Sequence, residues 1–232
     1  MASSLAHTAV LLGRGGDIPG IESYDPIADE QSPVLSLSAG QSVYAIDASP
    51  DQDSICVGTR SGLLYRSVWA GDLEDMADAP MQHGASILSV RLLDSLHVAV
   101  SDTARRCLVW RQKDRQPNRL PTGDRLICSV YGLGNGELVG LAIDGGLLVW
   151  RWSEDCLIQA VKTPPVPRVS ALVKLVYWPE IEALVWPACE GRLILWRPSE
   201  DRVQIIPAHK GDFYAITVCD GRLFTVGRQD GR

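Results

Sequence analysis

Short apolar runs, each of four to seven residues, follow one another along the chain, separated by clusters of Gly, Pro, Asp, Asn and Ser. No segment keeps a 3.6-residue apolar period over the ~10–12 residues that identify a helix. The pattern predicts an all-β chain with tight turns. Residues 8–13, 20–25 and 33–37 read as three strands. Beyond residue 40 the runs fall into units, each with an apolar first strand, a turn, a second strand, a turn, and a third strand ending in an aromatic residue. The first strands begin near Val43, Ile87, Leu126 and Val169, and the second strands cover residues 54–59, 97–101, 137–142 and 183–186. Gly134-Asn135-Gly136 suits a primed hairpin turn, where the central residues need positive φ. Fourth strands are clear at residues 156–161 and 202–206, whereas residues 71–84, with Asp72, Glu74, Asp75 and Asp78, read as a solvated acidic edge.

The third strands repeat. Gly146-Leu147-Leu148-Val149-Trp150-Arg151 is preceded by Arg106-Cys107-Leu108-Val109-Trp110-Arg111 and followed by Arg192-Leu193-Ile194-Leu195-Trp196-Arg197. Gly62-Leu63-Leu64-Tyr65-Arg66 is a weaker first copy. Tyr65, Trp110, Trp150 and Trp196 lie 45, 40 and 46 residues apart. A period of about 40–45 residues with one aromatic-ended strand per unit is the signature of a repeat architecture built as propeller blades. The central strands are nearly continuous apolar runs, as expected when both faces of a sheet are covered.

These units resemble the WD40-repeat β-propellers over nearly the whole chain. The last unit carries the resemblance best: Ala208-His209 stands where the family has Gly-His, and Val226-Gly227-Arg228-Gln229-Asp230-Gly231 is similar to its turn into the third strand. His209 and Asp230 are 21 residues apart, which fits the family's His–Asp brace. The usual Trp-Asp is replaced by Trp-Arg at 111, 151 and 197, so the family's bracing network is not the usual one in most units. The resemblance implies a propeller of four-stranded antiparallel blades, incomplete within this chain, with about five blades' worth of sequence. The expected partition is a partial blade at 1–40, blades at about 41–84, 85–124, 125–167 and 168–211, and an incomplete blade at 212–232. The two ends offer similar second strands, so further blades or a second polypeptide are expected to complete the propeller.

Composition narrows the function. A net charge of −6 and a pI near 5.2 argue against a nucleic-acid binder. The six cysteines at 56, 107, 128, 156, 189 and 219 show no C-x-x-C pair and read as small buried hydrophobes of a reducing compartment. No apolar window reaches the ~18 residues of a membrane span, and residues 1–7 lack a signal peptide's basic and apolar regions, so a cytoplasmic protein is expected.

The recurring Arg66, Arg111, Arg151 and Arg197 read either as an arc that docks acidic groups or as arginines paired locally with Asp47, Asp114, Glu154 or Glu200. Trp178, in a turn, is a candidate partner anchor. His209 and Asp230 read as a structural brace, because no nucleophile has a recognisable setting. The resemblance implies a non-catalytic scaffold or sensing module for protein–protein interaction, with no metal or organic cofactor. The alternative is a propeller-fold hydrolase or lactonase, which needs polar ligands on the first strands; residues 169–175 offer mainly apolar and small ones.

Overall fold

A computed structural model describes residues 10–14, 20–25, 30–36, 42–49, 54–68, 85–111, 116–134, 136–154, 156–161 and 174–227. The acidic stretch 71–84, the expected strand start at Val169, Asp114 and Asp230 lie outside them. The described residues form twenty strands: β1 (Val10–Arg14), β2 (Gly20–Asp25), β3 (Glu30–Ser36), β4 (Val43–Ser49), β5 (Ser54–Thr59), β6 (Leu64–Val68), β7 (Ile87–Leu92), β8 (His97–Asp102), β9 (Cys107–Arg111), β10 (Asn118–Leu120), β11 (Ile127–Gly132), β12 (Glu137–Ala142), β13 (Leu147–Arg151), β14 (Cys156–Val161), β15 (Val176–Trp178), β16 (Ala183–Ala188), β17 (Arg192–Arg197), β18 (Arg202–Pro207), β19 (Phe213–Cys219) and β20 (Arg222–Gly227). Each strand pairs with its neighbour in sequence, all antiparallel. Three sheets have four strands, β7–β10, β11–β14 and β15–β18; β1–β3 and β4–β6 have three, and β19–β20 is a hairpin. Among the described residues no helix is long and apolar enough to cross a membrane.

The sheets pack face to face in chain order. Strand side chains alternate between faces, and each of the three four-stranded sheets spends one face on the sheet before it and the other on the sheet after. Val98, Val100, Leu108 and Trp110 pack with Ala45, Cys56 and Leu64 of the preceding sheet. Ala99, Cys107 and Val109 pack with Ile127, Leu138, Leu148 and Trp150 of the following one. The same exchange joins β11–β14 to β15–β18 through Val139, Val149, Trp186 and Trp196, and β15–β18 to β19–β20 through Val185, Leu195, Phe213 and Leu223. This two-sided burial explains the unbroken apolar runs.

The first strands lie side by side, β4 against β7, β7 against β11, and β15 against β19. Four of them carry a register shift at the same place, Val43/Ala45, Ile87/Ser89, Ile127/Ser129 and Phe213/Ala215. A bulge adds twist and bends the strand, so its recurrence repeats one local curvature in these four units. At the other edge, β14 and β18 are mostly half-buried or exposed. Asp220 and Gly221, at φ 46° and 72°, make the two-residue hairpin turn between β19 and β20, for which positive φ at both central positions is the requirement.

The described first strand of the fourth unit is β15, starting at Val176; the expected start near Val169 lies outside the described residues. One expectation shifts. Tyr65 does not occupy the tryptophan position. Counting from the residues paired with Gly58, Ser101 and Leu141, the third strands align Leu64 with Cys107 and Leu147. Ser67 therefore stands where Trp110 and Trp150 stand, and Arg66 aligns with Val109 and Val149.

Candidate functional site

The displacement by two residues decides the fate of Arg66. It turns toward the β7–β10 sheet, is 7% exposed, and its Nη2 donates to the Ser95 carbonyl at 2.7 Å. Arg66 is thus an interior residue and not a member of a surface arc. The other three arginines end their third strands at matching places, each with a different neighbourhood. Arg111 is exposed and pairs in register with His97. Arg151 stands 3.7 Å from both Glu137 and Glu154, an exposed arrangement of little energetic weight. Arg197 Nε donates to the Ile181 carbonyl at 3.2 Å. Of the described acids among the expected partners, Asp47, Glu154 and Glu200, only Glu154 meets its arginine; Asp114 lies outside the described residues. Asp47 is taken by a different one, Arg91.

Trp178 is half-buried, and its indole N–H donates to the Gly221 carbonyl at 2.8 Å. It ties the β15–β18 sheet to the last hairpin. His209 Nε2 lies 2.7 Å from the Thr225 hydroxyl and its ring meets Phe213 edge-on at 4.8 Å. That arrangement links the loop before β19 to β20; Asp230 lies outside the described residues. Trp110, Trp150 and Trp196 are 2%, 0% and 2% exposed, each facing the preceding sheet.

A site the residue pattern did not single out lies along the first strands. Asp47, Arg91 and Tyr131 each stand three residues beyond the unpaired bulge residue of their strand. Their side chains join one another across three sheets. Arg91 Nη1 donates to Asp47 Oδ1 at 3.1 Å, and the Arg91 guanidinium lies over the Tyr131 ring at 4.3 Å. Tyr131 in turn stacks on Tyr177 of β15, centroids 6.0 Å apart. The row is pinned by amides of the next sheet. Leu92 N–H donates to Asp47 Oδ2 at 2.8 Å, Val130 N–H to Ser89 Oγ at 3.2 Å, and Leu175 N–H to Ser129 Oγ at 2.9 Å. The repeat was legible after all: Ala45-Ile46-Asp47, Ser89-Val90-Arg91 and Ser129-Val130-Tyr131 share the order small, β-branched, polar. It hides because the polar residue differs in charge each time.

The electrostatics draw the row together. Burial pushes the Asp47 carboxyl above its ordinary value, against the pull of Arg91, the Leu92 amide and Lys174. Lys174 precedes β15, three sheets away along the series, yet its charge reaches Asp47. Burial also pushes the Tyr131 phenol up; Arg91 opposes this, while Tyr177 and Asp47 add to it. Asp47, Arg91, Tyr131 and Tyr177 thus form one mouth held by direct contacts, with Lys174 acting on Asp47 through its charge. Among the described residues no group of three or more His, Cys, Asp or Glu side chains is placed to hold a metal ion. Compared with known proteins, the chain matches no protein-family model and no curated protein.

Proposed function

We propose that the chain is a WD40-like β-propeller that acts as a non-catalytic platform for protein–protein interaction in a larger assembly. The observation that carries this reading is the row of side-chain contacts from Asp47 through Arg91 and Tyr131 to Tyr177, which links the first strands of four successive sheets. A straight stack of sheets would hold β4–β6 and β15–β18 several layers apart, since packed sheets sit ~10 Å from each other. Curvature about an axis beside the first strands brings those strands together. The exposed outer strands β14 and β18 fit the rim of such an arrangement. The open face of the β19–β20 hairpin leaves Phe224 and Val226 52% and 46% exposed; a further blade or a protein partner is the natural cover for so much apolar surface. Three fully buried free thiols, Cys56, Cys107 and Cys128, suit a reducing, cytoplasmic setting.

The test is isolation of the tagged chain from its own cells at physiological salt, followed by native mass measurement. A stoichiometric polypeptide partner is expected, and the purified assembly should not hydrolyse ester, lactone or phosphoester substrates. A chain recovered alone that turns over one of them would replace the platform with the enzyme reading.

A further inference from the structure

We infer that the mouth formed by Asp47, Arg91, Tyr131, Lys174 and Tyr177 binds a carboxylate side chain presented by an acidic peptide segment. The inference deepens the platform reading by giving the partner a chemistry, and it rests on that reading.

Arg91 stands at the centre of this row, between Asp47 and Tyr131. A guanidinium carries five N–H donors in one plane. Asp47 takes one of them, and among the described residues no other acceptor binds the rest. The guanidinium carbon lies over the Tyr131 ring at 4.3 Å, and together with the Asp47 hydrogen bond this contact restrains the group. A guanidinium so restrained, with donors to spare, is suited to capture of a carboxylate at a reduced cost in ordering entropy. The Arg91 side chain is 32% exposed, so a ligand has access to it.

The neighbours supply more unspent donors. The Tyr131 and Tyr177 hydroxyls and the Lys174 ammonium have no hydrogen-bond partner among the described residues. Asp47 is itself engaged by the Leu92 amide and by Arg91, so it orients the guanidinium. Two cations against one carboxylate leave a surplus of one positive charge in a chain of net charge −6. One surplus charge matches a monoanionic carboxylate better than a phosphate dianion. Lys174 is exposed and the other four side chains are partly exposed, so the mouth can be reached by an extended segment approaching from outside.

The experiment uses the whole chain and fluorescently labelled hexaglutamate, with hexaglutamine as neutral control, read by anisotropy at two salt concentrations. Hexaglutamate should bind, more weakly at higher salt, and hexaglutamine should not. Lys174→Gln should weaken binding about threefold or more, and Tyr131→Phe with Tyr177→Phe should weaken it by a similar factor. Both leave the packing in place, and thermal melts should coincide with wild type. Arg222→Gln, an exposed arginine of the last hairpin, should leave binding unchanged. The inference is overturned if hexaglutamate binds no better than hexaglutamine, if the Lys174/Tyr131/Tyr177 triple variant binds like wild type, or if Arg222→Gln weakens binding equally. Displacement of hexaglutamate by millimolar inorganic phosphate but not by acetate would overturn the carboxylate assignment. A chain that ignores hexaglutamate yet keeps its stoichiometric partner would lose this site and retain its role as a platform.

Discussion

Trp150 and Trp110 occupy the same position in successive sheets and are equally buried, but their indole nitrogens have opposite fates. Trp150 Nε1 donates to the Pro121 carbonyl at 2.8 Å. Trp110 Nε1 is buried with no partner among the described residues. Replacement by phenylalanine keeps a large apolar ring and removes the N–H, so the two substitutions share the loss of ring volume and differ in the polar contribution. At Trp150 the change removes a hydrogen bond worth about 0.5–1.5 kcal/mol net. At Trp110 it removes an unsatisfied buried donor, which relieves about 1–3 kcal/mol. Trp150→Phe should therefore be more destabilising than Trp110→Phe by about 2 kcal/mol, once the shared cavity cost cancels. In urea, with a slope near 2 kcal/mol/M, that is a midpoint difference of about 1 M. Equal midpoints, or a lower midpoint for Trp110→Phe, would refute the reasoning and place an acceptor beside Trp110. The full truncation Trp150→Ala should cost about 3–5 kcal/mol and lower the melting temperature by about 6–20 °C; a shift within a few degrees would show that the repeat position has been misassigned.

Three further outcomes are expected. A Cβ at Gly140 would lie 2.5 Å from the Trp150 ring and 3.1 Å from Ile127 Cγ2, so Gly140→Ala should destabilise by about 1–3 kcal/mol in the same urea titration. Asp47 has its folded-state pKa raised above the ordinary 3.8, so the native state holds its proton more tightly and wild-type stability falls as pH rises through that window. Asp47→Asn should accordingly gain on wild type between pH 4 and neutrality, and a slope of opposite sign would mean that the Arg91 ion pair outweighs burial. Burial raises the Cys56 and Cys107 thiols far above their ordinary range and Cys128 to about 12. A thiol reagent at pH 8 should therefore titrate at most three of the six cysteines in native protein and all six in denaturant; fast reaction of a fourth would show that the inter-sheet cores open readily.

The residue pattern by itself determined the all-β class, the unit length and the strand order within each unit. Each of these rests on local chemistry: runs too short for a helix, turn residues between them, and apolar positions on both faces of a strand that must be covered twice. Trp110, Trp150 and Trp196 were visible as buried repeat positions for the same reason. Arg66 was misread because a motif match compares neighbours along the chain, while its burial depends on how many residues separate the β5–β6 turn from the third strand. The first copy's match is two residues out of step, and moving by two keeps the same face but changes the neighbour from solvent to the β7–β10 sheet. Trp178 and Gly221 are far apart in sequence, and only the packing of β15 beside β19 makes them donor and acceptor. The row of Asp47, Arg91, Tyr131 and Tyr177 is a tertiary property of the same kind. Each residue is an isolated polar break in its strand, and only the packing of the first strands side by side, three of them with a bulge of one repeated geometry, brings the four together.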